Sequence, residues 1–453
     1  MSEHDAIVVG LGVGGEHVAG TLAEAGMDVL GIERALVGGE CPYWGCIPTK
    51  MMVRAANALA ETQRVQAVAG DAHAHPDYSP VSQRIKLQAT DDWNDQVAVD
   101  RLEGKGGTFL RGEARFVGPR EIEVDGERHA ARRAIVIAAG GRPAVPPIPG
   151  LASVEYWTNR EAVKAETQPA SMIVLGGGAI GLEIGQAFSR FGTDVTVVEM
   201  ADHVLPLEEP VNVAALEEVL RAEGIDVHTK VSASSVKPSA DGTAVELSDG
   251  RVIEAERLLV ATGRHLNIPD LALDKAGLAP DGKMLEVDTS LRAGDRLWGV
   301  GDITGKGAFT HVAMYQARIA AADILGQQHS LADYSAVPRV TFTDPEIASV
   351  GMTEAQARNA GINVRVGASN TASSARGWIH GPGAEHGVAK LVADGDAGIL
   401  VGASVMGPAA GEVIGLLVLA IKERISVPAL RDLIYPYPTF VRGIEDALSQ
   451  LGD

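Results

Sequence analysis

The chain has 453 residues, with 39 Lys and Arg against 59 Asp and Glu, a net charge of −20 and a pI near 5.0, a balance that argues against a nucleic-acid partner because phosphate neutralisation needs clustered cations. At about 150 residues per domain the length suggests roughly three domains, with cores large enough to need no covalent staples. Its two cysteines, Cys41 and Cys46, exclude a secreted disulfide framework and a zinc site built mainly from cysteine.

No basic n-region or small-residue cleavage site precedes the first apolar run. The stretch IGLLVLAI, between Val413 and Lys422, falls far short of the roughly 20 residues that cross a bilayer. A cytoplasmic protein without a membrane partner is expected. Abundant glycine, 53 residues, with 4% aromatics, suits a fold rich in tight strand-to-helix turns.

The segment from Asp5 to Glu33, DAIVVGLGVGGEHVAGTLAEAGMDVLGIE, predicts a strand, a glycine turn, a helix and a second strand. Gly10, Gly12 and Gly15 form G-x-G-x-x-G: the first turns the chain, the second lets backbone N–H groups approach a pyrophosphate, and the third permits close helix packing. Glu33, 18 residues past Gly15, can accept hydrogen bonds from ribose hydroxyls. Next comes VGGECPYWGCIPTK, where Pro48 suits the start of a helix through MMVRAANALAETQRV. A thiol at a helix N-terminus has a lowered pKa and is a better nucleophile. In isolation the spacing C-x-x-x-x-C also fits two core cysteines or half a metal site, but its position directly after a nucleotide-binding unit disfavours both. His73 and His75 lie in a polar stretch and read as solvated loop residues, so no metal site is expected.

The first pattern then recurs from Ser171, with Gly176, Gly178 and Gly181 followed by Glu199, again 18 residues on. Each copy closes with a similar strand and turn, RRAIVIAAGGRP holding Gly140 and AERLLVATGRH holding Gly263. A single G-x-G-x-x-G often serves plain packing; two copies in full context imply two dinucleotide sites.

With these glycine fingerprints and G-G-x-C-x-x-x-x-C-x-P-x-K from Gly38 to Lys50, the chain resembles the flavoprotein disulfide reductases, the group of lipoamide dehydrogenase, glutathione reductase and mercuric reductase. LWGVGDITG, holding Asp302, resembles their second FAD motif, and VPRVTFTDPEIASVGMTEAQA the start of their dimerisation domain. The resemblance implies an α/β fold of two Rossmann-like nucleotide-binding domains and an α+β C-terminal dimerisation domain. Residues 1–148 and 264–332 would bind FAD, 149–263 would bind NAD, and 333–453 would form the interface of a homodimer with a shared active site. It further implies that Gly10, Gly12, Gly15, Glu33, Gly140 and Asp302 hold FAD, and that Gly176, Gly178, Gly181, Glu199 and Gly263 hold NADH. Glu199 favours NADH over NADPH, since a carboxylate repels a 2′-phosphate and MADHVLPLEEP offers no cation beside it. Cys46 would be the thiol that stacks on the flavin, Cys41 the interchange thiol, and Lys50 with Glu183 an ion pair beside flavin N5, the alternative being a surface pair.

The likeness breaks near the C-terminus. Disulfide-reducing relatives carry H-P-x-x-x-E there, a His–Glu pair reaching the partner's cysteines; this chain reads IYPYPTFVRGIEDAL, with Tyr437 and Arg442 at those positions. A phenol, with a usual pKa near ~10, and a guanidinium cannot replace imidazole as a base at neutral pH. Mercuric reductases share the Pro-Tyr but use a terminal cysteine pair that this chain lacks. The expected activity is therefore transfer of electrons from NADH, through FAD and a Cys41–Cys46 disulfide, to a small disulfide or thiol-reactive acceptor. Direct flavin reduction of a quinone and a slow flavin-bound redox sensor are the alternatives. Within the redox loop, Trp44 can narrow access, stack on a planar ligand, or simply pack.

Overall fold

The computed structural model describes residues 1–278 and 283–452. Residues 279–282, inside the expected FAD-binding domain, and residue 453, at the end of the expected dimerisation domain, lie outside it. The chain forms two compact units, one of residues 1–48, 83–144 and 264–334, the other of 49–82, 145–263 and 335–453.

In the first unit the expected βαβ is present: strand Ser2–Val9, helix Val13–Glu24 and strand Val29–Glu33, the two strands parallel with Ile7 opposite Leu30. Strand Glu127–Ile137 pairs in parallel on the other side, with Ile135 opposite Ile7, and Leu297–Gly299 follows, with Leu297 opposite Ile135. Thr108–Arg111 lies beyond Val29–Glu33, and Arg292–Gly294 forms the opposite edge. Because strand side chains alternate, Ala6 and Val8 pack with Val18 and Leu22 on one face, while Ile7 and Val9 pack with Ile137 and Ile303 on the other. Both faces are covered, which is why these strands read as continuous apolar runs rather than alternating ones.

The second unit contains the second βαβ, strand Ser171–Leu175, helix Ala179–Arg190 and strand Asp194–Val198, in a four-stranded parallel sheet with Asp226–His228 and Arg257–Val260 at its edges. A three-stranded antiparallel sheet, Ala233–Ser239, Gly242–Leu247 and Val252–Ala255, accompanies it. Residues 335–452 build a five-stranded antiparallel sheet in the spatial order Pro338–Thr341, Glu346–Gly351, Ile399–Gly407, Val388–Asp394, Val364–Asn370. Helix Ala410–Lys422 lies against it, burying Val413, Ile414, Leu417, Ala420 and Ile421 within its own chain. The apolar stretch noted in the sequence therefore serves this core first; Leu419, 53% exposed, is left outside it. No helix among the described residues is long and apolar enough to cross a membrane.

Candidate functional site

The first glycine turn has the geometry its spacing predicts. Gly10 is left-handed, with φ +91°, and a Cβ added at Gly15 would stand 1.9 Å from the Gly10 carbonyl oxygen, so the strand and helix can meet only as glycines. Nothing lies within 4 Å of a Cβ built on Gly12, and no side chain caps the helix Val13–Glu24 that starts there. The uncapped amides and the helix dipole suit a pyrophosphate. Glu33 accepts from Leu11 N (2.8 Å) and Ala35 N (2.8 Å), and a cleft beside it is lined by Gly10, Arg34, Glu113, Asn267 and Asp270. These residues fit a dinucleotide.

The closing turn of this unit is tied by a residue that its motif did not reveal. Asn267 donates to the Ala139 carbonyl at 2.8 Å, its N–H reaches the Gly140 carbonyl at 3.0 Å, and its Oδ1 accepts from Arg142 at 2.9 Å. Gly140 itself has φ +60°. Asp302 opens a short helical turn, and the loop before it is pinned because the wholly buried Gln316 accepts from Gly301 N at 2.7 Å and donates to Thr304 Oγ1 at 2.9 Å. Burial pushes the Asp302 carboxyl above its usual range, against the pull of the neighbouring Arg264 guanidinium. Arg264 lies 3.5 Å from Asp302 and 3.5 Å from Glu40, joining the Asp302 carboxylate to the residue preceding Cys41. Arg264 and Glu40 were legible only as neighbours of motif residues, Gly263 and Cys41.

Both cysteines are partly buried. Cys41 lies on the one-turn helix Glu40–Tyr43, and Cys46 is the first residue of helix Cys46–Val68, so the expected helix starts two residues before Pro48. Proline is tolerated there because its missing N–H has no intrahelical partner. Cys46 thus stands at the end of a 23-residue helix where the macrodipole favours a thiolate, and its sulfur lies 3.5 Å from the Thr310 hydroxyl. Trp44 does not stand alone: it stacks on Trp93, ring centroids 5.8 Å apart.

In the second unit the glycine turn repeats the first. Gly176 has φ +106°, Gly263 in the closing turn has φ +122°, and Gly178 is open above its Cα, again at an uncapped helix start. Glu199 accepts from Gly177 N (2.7 Å) and Ala201 N (2.7 Å). The tertiary structure adds a cation that the local sequence lacked: Lys230 lies 3.7 Å from Asp202, three residues past Glu199.

The Lys50–Glu183 pair is formed, at 2.7 Å, and is not a surface pair, since Glu183 is only 4% exposed. The second oxygen of Glu183 accepts from Phe342 N at 2.9 Å, and Lys50 Nζ sits 4.6 Å over the Phe342 ring. Glu183→Leu should cost about 2 kcal/mol in a denaturant titration, less than a fully buried pair because Lys50 is partly hydrated, while Glu183→Gln should recover roughly half by keeping the Phe342 acceptor.

Tyr437 is 71% exposed, and Arg442 sits over its ring at 5.7 Å while pairing with Glu445 (3.3 Å) and Asp446 (3.4 Å) of its own chain. Much of the Arg442 charge is thus already met. His73 and His75 are exposed in a loop, and no cluster of metal-ligating side chains exists among the described residues.

Comparison with known proteins agrees with this geometry. The family model for pyridine nucleotide-disulphide oxidoreductase matches residues 4–317, and the model for that family's dimerisation domain matches residues 337–448. The chain is 35% identical to the dihydrolipoyl dehydrogenase of Thermus scotoductus over 100% of this chain and 98% of that one. It is 36% identical to the mercuric reductase of Acidithiobacillus ferrooxidans over 96% of this chain and 80% of that one. Among solved structures, the HOCl-induced flavoprotein disulfide reductase RclA from Escherichia coli superposes with a TM-score of 0.87 at 27% identity, covering 99% of this chain and 100% of that one. LpdA from Mycobacterium tuberculosis superposes with a TM-score of 0.88 at 26% identity, with 100% of both chains covered. Two uncapped glycine turns, a thiol pair at a helix start and matches spanning nearly the whole sequence lead to one conclusion: the chain is an FAD-dependent, NAD(P)H-using enzyme of the pyridine nucleotide-disulphide oxidoreductase family.

Proposed function

We propose that this enzyme passes electrons from NADH to a low-molecular-weight disulfide or other thiol-reactive small molecule through Cys41 and Cys46. The observation that carries this reading is the thiol pair itself, one member on a one-turn helix and the other at the start of a long one. Bound FAD supplies the two-electron relay between nicotinamide and thiols. For a disulfide acceptor, the Cys41 thiolate attacks one sulfur, forming a mixed disulfide and releasing the first thiolate. Cys46 then attacks Cys41 Sγ, closing the Cys41–Cys46 disulfide and releasing the second. Each departing thiolate takes a proton, and Tyr437 is not a residue that shuttles one.

In this reading residues 1–148 with 264–332 form the FAD domain, 149–263 the NAD domain and 333–453 the interface of a homodimer. The dimerisation-domain match and the exposed Leu433, Ile434 and Tyr437 support that assembly. An acceptor screen with NADH tests the function: turnover with disulfides that stops when both thiols are alkylated supports it. Turnover of quinones alone, untouched by alkylation, would replace it with direct flavin chemistry.

Cofactor choice rests on the Glu199 carboxylate, and catalytic efficiency with NADPH should be at least about tenfold below that with NADH. Equal efficiencies would overturn the assignment and direct attention to Lys230 as a 2′-phosphate partner.

A further inference from the structure

Trp93 grips the loop that carries Cys41. Its indole N–H donates to the Tyr43 carbonyl at 3.3 Å, and its ring stacks on Trp44 with an interplanar angle of 22°. The helix Glu40–Tyr43 is a single turn, closed by Trp44 N donating to Glu40 O at 2.8 Å, so fixing Tyr43 and Trp44 fixes the turn on which Cys41 sits. At the other end of that turn Glu40 pairs with Arg264.

The backbone that presents Trp93 is costly to form. Asp91, Asp92 and Trp93 are consecutive and all left-handed, with φ of 47°, 54° and 57°, a conformation that L-residues adopt singly and that bulky ones avoid. Strain of this kind persists only where surrounding contacts over-determine it. Here Asp92 N donates to Lys86 O at 2.6 Å, and the buried Thr90 hydroxyl donates to the Ile85 carbonyl at 3.0 Å. Two residues on, the buried Asp95 accepts from Val37 N at 2.6 Å and from Arg111 at 2.6 Å, anchoring the approach to the cysteine loop as well. Residues 90–95 thus hold the loop on both sides of Cys41, and a tryptophan serving only to fill space would need neither the left-handed turn nor the hydrogen bond to Tyr43.

We propose that Trp93 is a positioning residue for the redox pair: by clamping Tyr43 and Trp44 it keeps Cys41 within reach of Cys46 and thereby sets the stability of the Cys41–Cys46 disulfide. This rests on the dithiol reading given above. Ordering one thiol near another raises its effective concentration, so releasing the clamp favours the open dithiol.

The test equilibrates the full-length flavoprotein in glutathione buffers. Oxidation of the two thiols removes two electrons and two protons, which convert glutathione disulfide to two glutathione molecules; the remaining thiols are trapped and counted by mass. In Trp93→Ala the equilibrium constant for disulfide formation should fall about tenfold. Trp93→Phe, which keeps a ring for the stack, should recover most of that loss. Trp44→Ala, which removes the stack and leaves the hydrogen bond to Tyr43, should give a smaller fall, and Trp44→Ala with Trp93→Ala no more than Trp93→Ala alone, because the stack is common to both. If Trp93→Ala does not fold, Trp93→Phe and Trp44→Ala still carry the comparison. Wild-type equilibrium constants in Trp93→Ala and Trp44→Ala, or losses that simply add, would overturn the proposal. A wild-type enzyme that forms no Cys41–Cys46 disulfide in any buffer would instead defeat the dithiol reading, and this inference with it.

Discussion

Cys46→Ser should abolish the long-wavelength absorbance that two-electron reduction produces in the wild-type enzyme, and Cys41→Ser should retain it. The asymmetry follows from position: Cys46 begins the 23-residue helix, where the dipole favours its thiolate, whereas Cys41 lies on a separate one-turn helix. Both variants should lose disulfide turnover by roughly 10³-fold or more, because each removes one of two obligatory thiols. Reduction by NADH should proceed in both. Stopped-flow absorbance separates these steps, since flavin bleaching reports NADH oxidation and the long-wavelength band reports Cys46. Wild-type turnover of the native acceptor in both variants would make the cysteines bystanders.

The second large effect is expected at Tyr437 and Arg442. General acid–base assistance is typically worth about 10²- to 10⁴-fold, and a neutral phenol offers a hydrogen bond without a proton shuttle near neutral pH. Disulfides such as lipoamide or glutathione disulfide should therefore turn over slowly although flavin reduction is fast. Tyr437→His with Arg442→Glu should raise disulfide turnover at least about tenfold if proton transfer limits the rate. Tyr437 is 71% exposed, so the imidazole meets no steric barrier within its own chain. The second substitution is less innocent, because it would set a third carboxylate beside Glu445 and Asp446, both now paired with Arg442. Tyr437→His alone is therefore the control, and it should carry most of the gain. No gain in either variant, with dimer and flavin intact, would move the bottleneck to recognition at the Tyr43–Trp44 loop and point to an acceptor other than a simple disulfide.

The two βαβ units, their glycines and the places of Glu33 and Glu199 at the ends of the second strands were legible in the chain alone because each depends on contacts within about 30 consecutive residues: a strand, a turn that admits only glycine, and a helix packed against that strand. The cysteine helix was legible for the same reason, down to a start near Pro48. What joins these local pieces was not. Asn267 closes the Gly140 turn from 127 residues away, Gln316 holds the loop that carries Asp302, and Arg264 couples Asp302 to Glu40. Polar side chains of this kind carry no periodicity; they are recognised only when burial forces each to find a partner. The Lys50–Glu183 pair shows the difference most plainly. Its members were expected from a motif, but only the packing around helix Ala179–Arg190 decided that Glu183 is buried and must be paired. Trp93 stood outside every motif. Three left-handed residues present it, and the stack on Trp44 and the hydrogen bond to Tyr43 place it beside the cysteine loop; those two contacts depend on chain segments about 50 residues apart meeting in the folded protein.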